Sequence, residues 1–207
     1  MKDFSIVDAD MLLKKLICED RKKTRPNLKS TDNFYNHCNG VGNNSYMLSC
    51  TLRYKGFDTE PELVGAAGLL HDIGKIVATP DEHDRDPELV LDSIYGSNHM
   101  AKLGYYEIAD IIRPSFTTKE LLELKPDKFP ELNPEDFIPK DLKQKTVVYF
   151  DTRVAGNGNC VSFKDRMADI RNRYNKDSLL VKSLDIGGEA RLRDLNREIE
   201  KKAGLII

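Results

Sequence analysis

Four histidines are spread along the chain, His37, His71, His83 and His99, and one of them is followed directly by an acid. His71 and Asp72 close the apolar run AAGLLHD, which places them at the buried end of a helix. An imidazole and a carboxylate are costly there unless the ring nitrogen and the charge are both satisfied, and a divalent cation satisfies both at once. His37 lies upstream in NFYNHCNGV and Asp151 downstream in VVYFDTRVAGNG, each within an apolar segment that can be drawn into the same core. Lys75, just past Gly74, is placed to pair with a phosphate as a point charge. Other chemistries find no footing. There is no Gly-x-Ser-x-Gly elbow, the only cysteine beside a histidine is Cys38, and NGVGNN lacks the Lys-Ser/Thr ending of a P-loop.

The elements that must carry these residues read as helices throughout. Ile6, Val7, Met11, Leu12, Leu13 and Leu16 recur at helical spacing over residues 4–17, and the basic, proline-containing RKKTRPNLKS ends that segment. Thr31-Asp32 offers N-cap chemistry for a long helix through Lys55, weakened locally by Gly40 and Gly42. Asp58-Thr59 followed by Pro61 starts PELVGAAGLLHD, whose small residues permit close packing. KIVATPDEHDRD reads as a polar loop; PELVLDSIYGSNHMAKLG and YYEIADIIR return to helical periodicity. Pro126, Pro130, Pro134 and Pro139 make the following stretch a long, irregular surface loop. LKQKTVVYFDTRVA is read as helix although VVYF alone suits a strand, Ser162 to Asp165 resembles a capping box, and a charged helix spans residues 188–203. The expectation is an all-α fold, one domain over residues 1–207, with its core at about 30–180 and the last helix packed on it.

Composition is consistent with that expectation. A chain of 207 residues with 40% hydrophobic and 32% charged residues builds an ordinary globular core under a charged surface. The net charge of -2, with acids and bases interleaved, gives no strong nucleic-acid signal. No segment approaches the roughly 20 apolar residues of a membrane span. The charged start MKDFSIVDADMLLKK is no signal peptide, and the four scattered cysteines read as reduced thiols, so the expected address is the cytoplasm.

Taken together, NFYNHCNGV, AAGLLHDIGK and VVYFDTRVAGNG resemble the motifs of the HD-domain superfamily of metal-dependent phosphohydrolases. VSFKDRMADIRNRY is similar to the segment that follows the final aspartate in stand-alone members, so the likeness covers about residues 30–180. The resemblance implies an all-helical fold and one divalent metal, Mn, Fe, Co, Ni or Mg with zinc also compatible, held by His37, His71, Asp72 and Asp151. It implies that the ion draws charge from phosphorus and acidifies a water, that Asp72 or Asp151 orients this water, and that Lys75 faces the site. Relatives with two metals carry further histidines near the positions of Asp92, Arg113, Pro114 and Ser115; their absence here points to one metal.

The substrate so implied is a small phosphorylated metabolite such as a nucleotide, with Lys75, Arg153 and Arg25 as candidates for its phosphate and Asp72 and Lys75 as the catalytic pair. The alternative is a regulatory module that binds metal and nucleotide without turnover. His83 and His99 are read as a solvated loop histidine and a helix-surface or packing histidine. Asn43 and Asn44 are read as hydrogen-bonding within the core. The Arg-rich C-terminal part, from Arg166 to Arg197, is read as salt-bridged solvent faces. An oligomer is compatible with the sequence.

Overall fold

The computed structural model describes residues 4–23, 30–85 and 91–205, and among them there is no strand, only an isolated bridge between Val154 and Cys160. α1 (Ile6–Lys23) opens on a reciprocal cap between Ser5 and Asp8 and buries Ala9, Leu13 and Ile17. α2 (Ser30–Tyr54) runs unbroken through Gly40 and Gly42; the side chain of its expected cap, Thr31, lies outside the described ones. α3 (Pro61–Leu70) begins on Pro61 as expected, but Thr59 is not its cap: its hydroxyl donates to the Ser49 carbonyl at 2.9 Å.

The glycines explain why α2 tolerates two weak helix formers. A Cβ on Gly42 would lie 2.6 Å from Leu69 Cγ and 3.0 Å from the Gly65 carbonyl oxygen, and one on Gly68 would lie 2.9 Å from Gly42 Cα. The two backbones touch. A Cβ on Gly40 would in turn lie 2.6 Å from the carbonyl oxygen of Gly158, in the loop after Asp151. The propensity cost of about 1 kcal/mol per glycine is offset by dispersion contacts along this seam.

Beyond α3 the expected polar loop is instead two short helices, α4 (Gly74–Val77) and α5 (Pro80–Arg85). The signal was present in TPDE: the Thr79 amide donates to Glu82 Oε2 at 2.6 Å while Thr79 Oγ1 accepts from the Glu82 amide at 3.3 Å, with Pro80 at the first helical position. α6 (Asp92–Lys102), α7 (Tyr106–Ile112) and α8 (Thr118–Leu124) follow. The proline-containing stretch is irregular except for a tight helical turn at Pro134–Phe137, but it is anchored rather than loose on the surface: Phe129 and Phe137 are buried against Leu91, Ile94, Tyr95, Leu121 and Leu122.

α9 (Leu142–Asp151) is capped by Asp141, which accepts from the Gln144 amide at 2.8 Å, and buries nearly every residue from Thr146 onward. Burial on all sides removes amphipathic periodicity, which is why VVYF alone suits a strand equally well. Ser162 caps α10 (Phe163–Arg173) at 3.0 Å, α11 (Leu179–Ser183) leads through a wide turn at Gly187 into α12 (Glu189–Ala203), and Gly204 ends α12 in the left-handed conformation. α3 is central, touching α1, α2, α7 and α9, while α12 lies across α9. One apolar cluster runs from Leu13 of α1 through Leu69, Leu70 and Val148 to Leu192 and Ile199 of α12.

The C-terminal arginines are paired as expected. Arg171 meets Asp185 and Glu189, Arg193 meets Glu189, and Arg166 and Arg173 meet Asp169. Arg191 goes further and forms a two-pronged pair with the buried Glu120, at 2.7 and 2.8 Å.

Candidate metal centre

Three helices deliver the chemistry. α2 supplies His37 one turn before its glycine seam, the end of α3 supplies His71 and Asp72, and the last residue of α9 is Asp151. All four are buried, none more than 9% exposed. One ligand atom from each of His37, His71 and Asp72 falls within 4.8 Å of the others. Asp151 Oδ1 reaches both rings, at 3.4 Å from His37 Nε2 and 3.6 Å from His71 Nε2, and the Asp72 carboxylate lies 3.8 and 3.5 Å from the same nitrogens.

The imidazoles are prepared for a cation. His71 Nδ1 lies 2.8 Å from the Gly68 carbonyl, which can only accept, so Nδ1 carries the hydrogen. That leaves His71 Nε2, turned to the carboxylates, as a buried nitrogen with no hydrogen-bond partner. A backbone carbonyl fixing one ring nitrogen so that the other can ligate is the usual support of a metal-bound histidine. His37 turns its Nε2 to the same carboxylates, while its Nδ1 is buried with no hydrogen-bond partner. Two imidazoles and hard carboxylate oxygens fit a divalent first-row cation or Mg²⁺.

Without a cation, the cluster holds a proton. Burial opposes charge on His71, yet the Asp72 and Asp151 carboxylates prevail and lift the ring to about 9. Burial pushes against both acids as well, but Lys75 with the histidines keeps Asp72 below the usual carboxylate range, and His71 and His37 hold Asp151 well below it too. Cys38, adjoining His37, is kept a thiol by burial, which removes it as a nucleophile.

Lys75 stands at the edge of this cluster. Its Nζ is 2.6 Å from Asp72 Oδ2 and 3.1 Å from Asp92 Oδ2, while the side chain is 45% exposed. Asp92 is the residue that sequence reading missed: considered only as a position where a histidine is absent, it proves to be a buried carboxylate at the site. A signal did exist, since Asp92 lies between Leu91 and Ile94 in an apolar helix start, where an acid needs a partner.

The Arg153 guanidinium is engaged by Glu200 and sits 5.1 Å from the Tyr149 ring centroid, so it is occupied in joining α9 to α12. Arg25 lies outside the described residues, as does the side chain of His83 on α5. His99 is half-buried in the last turn of α6, its pKa lowered by burial and by Lys102. Asn44 donates to the Gly40 carbonyl and Asn43 to Asn39, both within α2; Asn43 is exposed rather than in the core. Arg113 covers the Phe137 ring at 5.1 Å.

Fold and cluster together define a helical protein centred on imidazole and carboxylate donors for a divalent cation. The family model of the HD domain matches residues 34–147, more than half of the chain, and the chain belongs to that family, whose members are generally metal-dependent hydrolases. The matched segment contains His37, His71, Asp72 and Lys75; Asp151 falls just past its end. The chain is also similar to an uncharacterized protein of Methanocaldococcus jannaschii, 27% identical over 159 residues that cover 74% of this chain and 85% of that protein. No solved structure matches the chain. Among the described residues no helix is long and apolar enough to cross a membrane.

Proposed function

We propose that this protein is a phosphohydrolase that cleaves the phosphate ester of a nucleotide or another small phosphorylated metabolite at one divalent cation held by His37, His71, Asp72 and Asp151. The observation that carries this reading is His71: its Nδ1 is tied to the Gly68 carbonyl and its unpartnered Nε2 faces two carboxylates in a buried site. A cation bound there supplies Lewis acidity, withdrawing charge from phosphorus and lowering the pKa of a water.

The chain's own groups do the rest. Asp72, kept ionised by Lys75 and the histidines, accepts a hydrogen bond from the attacking water and orients it. Lys75, half-exposed at the mouth of the cluster, binds a phosphate oxygen and offsets its charge. Val41, Leu70 and Ile73, close in sequence to the cluster residues, are fully buried in the apolar core, and the burial of the cluster itself strengthens each of these charged contacts. Four free thiols and a nearly balanced charge favour the cytoplasm as its address.

The test is a panel of phosphate esters assayed with Mn²⁺, Co²⁺, Ni²⁺, Fe²⁺ and Mg²⁺ in turn. Phosphate release that His71→Ala and Asp72→Ala abolish is the expected outcome. Saturable nucleotide binding with no turnover under any metal would instead make the protein a regulatory module, and a chain that retains no metal would remove both readings.

A further inference from the structure

Lys75 is held by two buried carboxylates, and only one of them belongs to the metal cluster. An ammonium has three donors. Asp72 Oδ2 accepts from one at 2.6 Å, Asp92 Oδ2 lies 3.1 Å away as a second ion-pair partner, and the Lys75 side chain is 45% exposed. Asp92 is itself immobilised. Its Oδ1 accepts from the Ser93 amide at 2.8 Å, and Ser93 Oγ lies 3.2 Å from Thr118 Oγ1 on α8. Its backbone is set against the first residue of α4, where a Cβ on Gly74 would come within 1.8 Å of the Asp92 carbonyl oxygen. Gly96, one turn along α6, meets the same glycine, with a Cβ there 3.1 Å from the Gly74 amide nitrogen. The contact between α4 and α6 therefore fixes Asp92 relative to the residue next to Lys75.

A buried carboxylate in an apolar helix start is expensive, and a leucine at this position would pack without that cost. We propose that Asp92 is the positioning residue for Lys75: it shares the ammonium with Asp72 and holds its free donor toward an incoming phosphate oxyanion. With Asp72 as its only partner, the ammonium on its four-carbon stem would lose the second anchor that fixes its direction, and would reach a phosphate less well. The inference rests on the phosphohydrolase reading above, and it extends that reading to a residue outside the imidazole and carboxylate cluster.

The test is the binding of inorganic phosphate to the Mn²⁺-loaded protein, measured calorimetrically for the wild type, Asp92→Asn, Lys75→Met and the double variant, with the Mn²⁺ affinity of each recorded first. Asparagine keeps the volume and the bond to the Ser93 amide. Losing the aimed, charge-assisted contact should weaken phosphate binding by about tenfold in Asp92→Asn and by at least as much in Lys75→Met. The double variant should bind no more weakly than Lys75→Met, because Asp92 acts only through Lys75. A merely structural Asp92 would give losses that multiply. If Asp92→Asn melts early, Asp92→Glu, which keeps the charge and displaces it by one methylene, enters the same cycle. Wild-type phosphate affinity in the Asp92 variants, or multiplied losses, overturns this inference alone. A wild type that takes Mn²⁺ but no phosphate overturns the phosphohydrolase reading as well.

Discussion

Loading the centre with a divalent cation should expel a proton. In the metal-free protein the Asp72 and Asp151 carboxylates overcome burial and hold His71 at about 9, whereas a ligating imidazole must be neutral. At pH 7.5 a ring with that pKa is protonated in about 97% of molecules, so close to one proton leaves for each cation bound. Competition by that proton weakens apparent affinity by about thirtyfold relative to a deprotonated site, or roughly 2 kcal/mol. The apparent Kd should fall by about tenfold for each unit of pH between 6 and 8. Asp72 and Asp151, both held low, are already ionised and release nothing. Asp92, which burial pushes up to about 7 against the pull of Lys75, adds to the slope only around neutrality. Calorimetric titration of Mn²⁺ in two buffers of different ionisation enthalpy measures the proton directly. A release near zero at pH 7.5, or a Kd that is flat from pH 6 to 8, would refute the electrostatic account of the cluster.

The same ring makes the metal-free fold sensitive to alkali. Its folded pKa of about 9 exceeds the unfolded value of 6.5, so a contribution of about 3 kcal/mol is complete below pH 6.5 and is lost as pH rises through 9; urea midpoints of the chelated protein across that window check it, and excess Mn²⁺ should remove the trend. Gly74→Ala should destabilise by about 1–3 kcal/mol or more, because its Cβ would enter the Asp92 carbonyl, with loss of phosphate binding alongside the fall in melting temperature. Arg191→Ala should cost about 3–5 kcal/mol by stranding Glu120 in the core while leaving Mn²⁺ stoichiometry unchanged, since the pair joins α12 to α8 and touches none of the four cluster residues. Denaturant unfolding and elemental analysis read the two outcomes separately.

What was legible in the sequence follows from how each feature is encoded. His37, His71 and Asp72 were legible because residue types with few other uses fall in apolar helical segments, and the structure brings them within 4.8 Å. α1, α2 and α12 announce themselves through length and periodicity, α3 through its proline start, and α10 through its cap. α4 and α5 are too short for periodicity to show, and only the Thr79–Glu82 cap marks the second. Gly40 and Gly42 read as helix weaknesses because the partner that makes them useful, α3, is a contact no local pattern contains. Asp92 was hidden for a similar reason: its meaning lies in an ammonium from a different helix. Phe129 and Phe137 anchor a stretch whose prolines alone spoke of irregularity.

The backbone contact between α2 and α3 has an evolutionary consequence. His37 and His71 sit on α2 and at the end of α3, the two helices whose glycines touch, and this close backbone approach lets their rings come within 5.1 Å of each other, centroid to centroid. The proline-containing stretch before α9, which holds none of the cluster residues, can then change in length while the donor atoms keep their places.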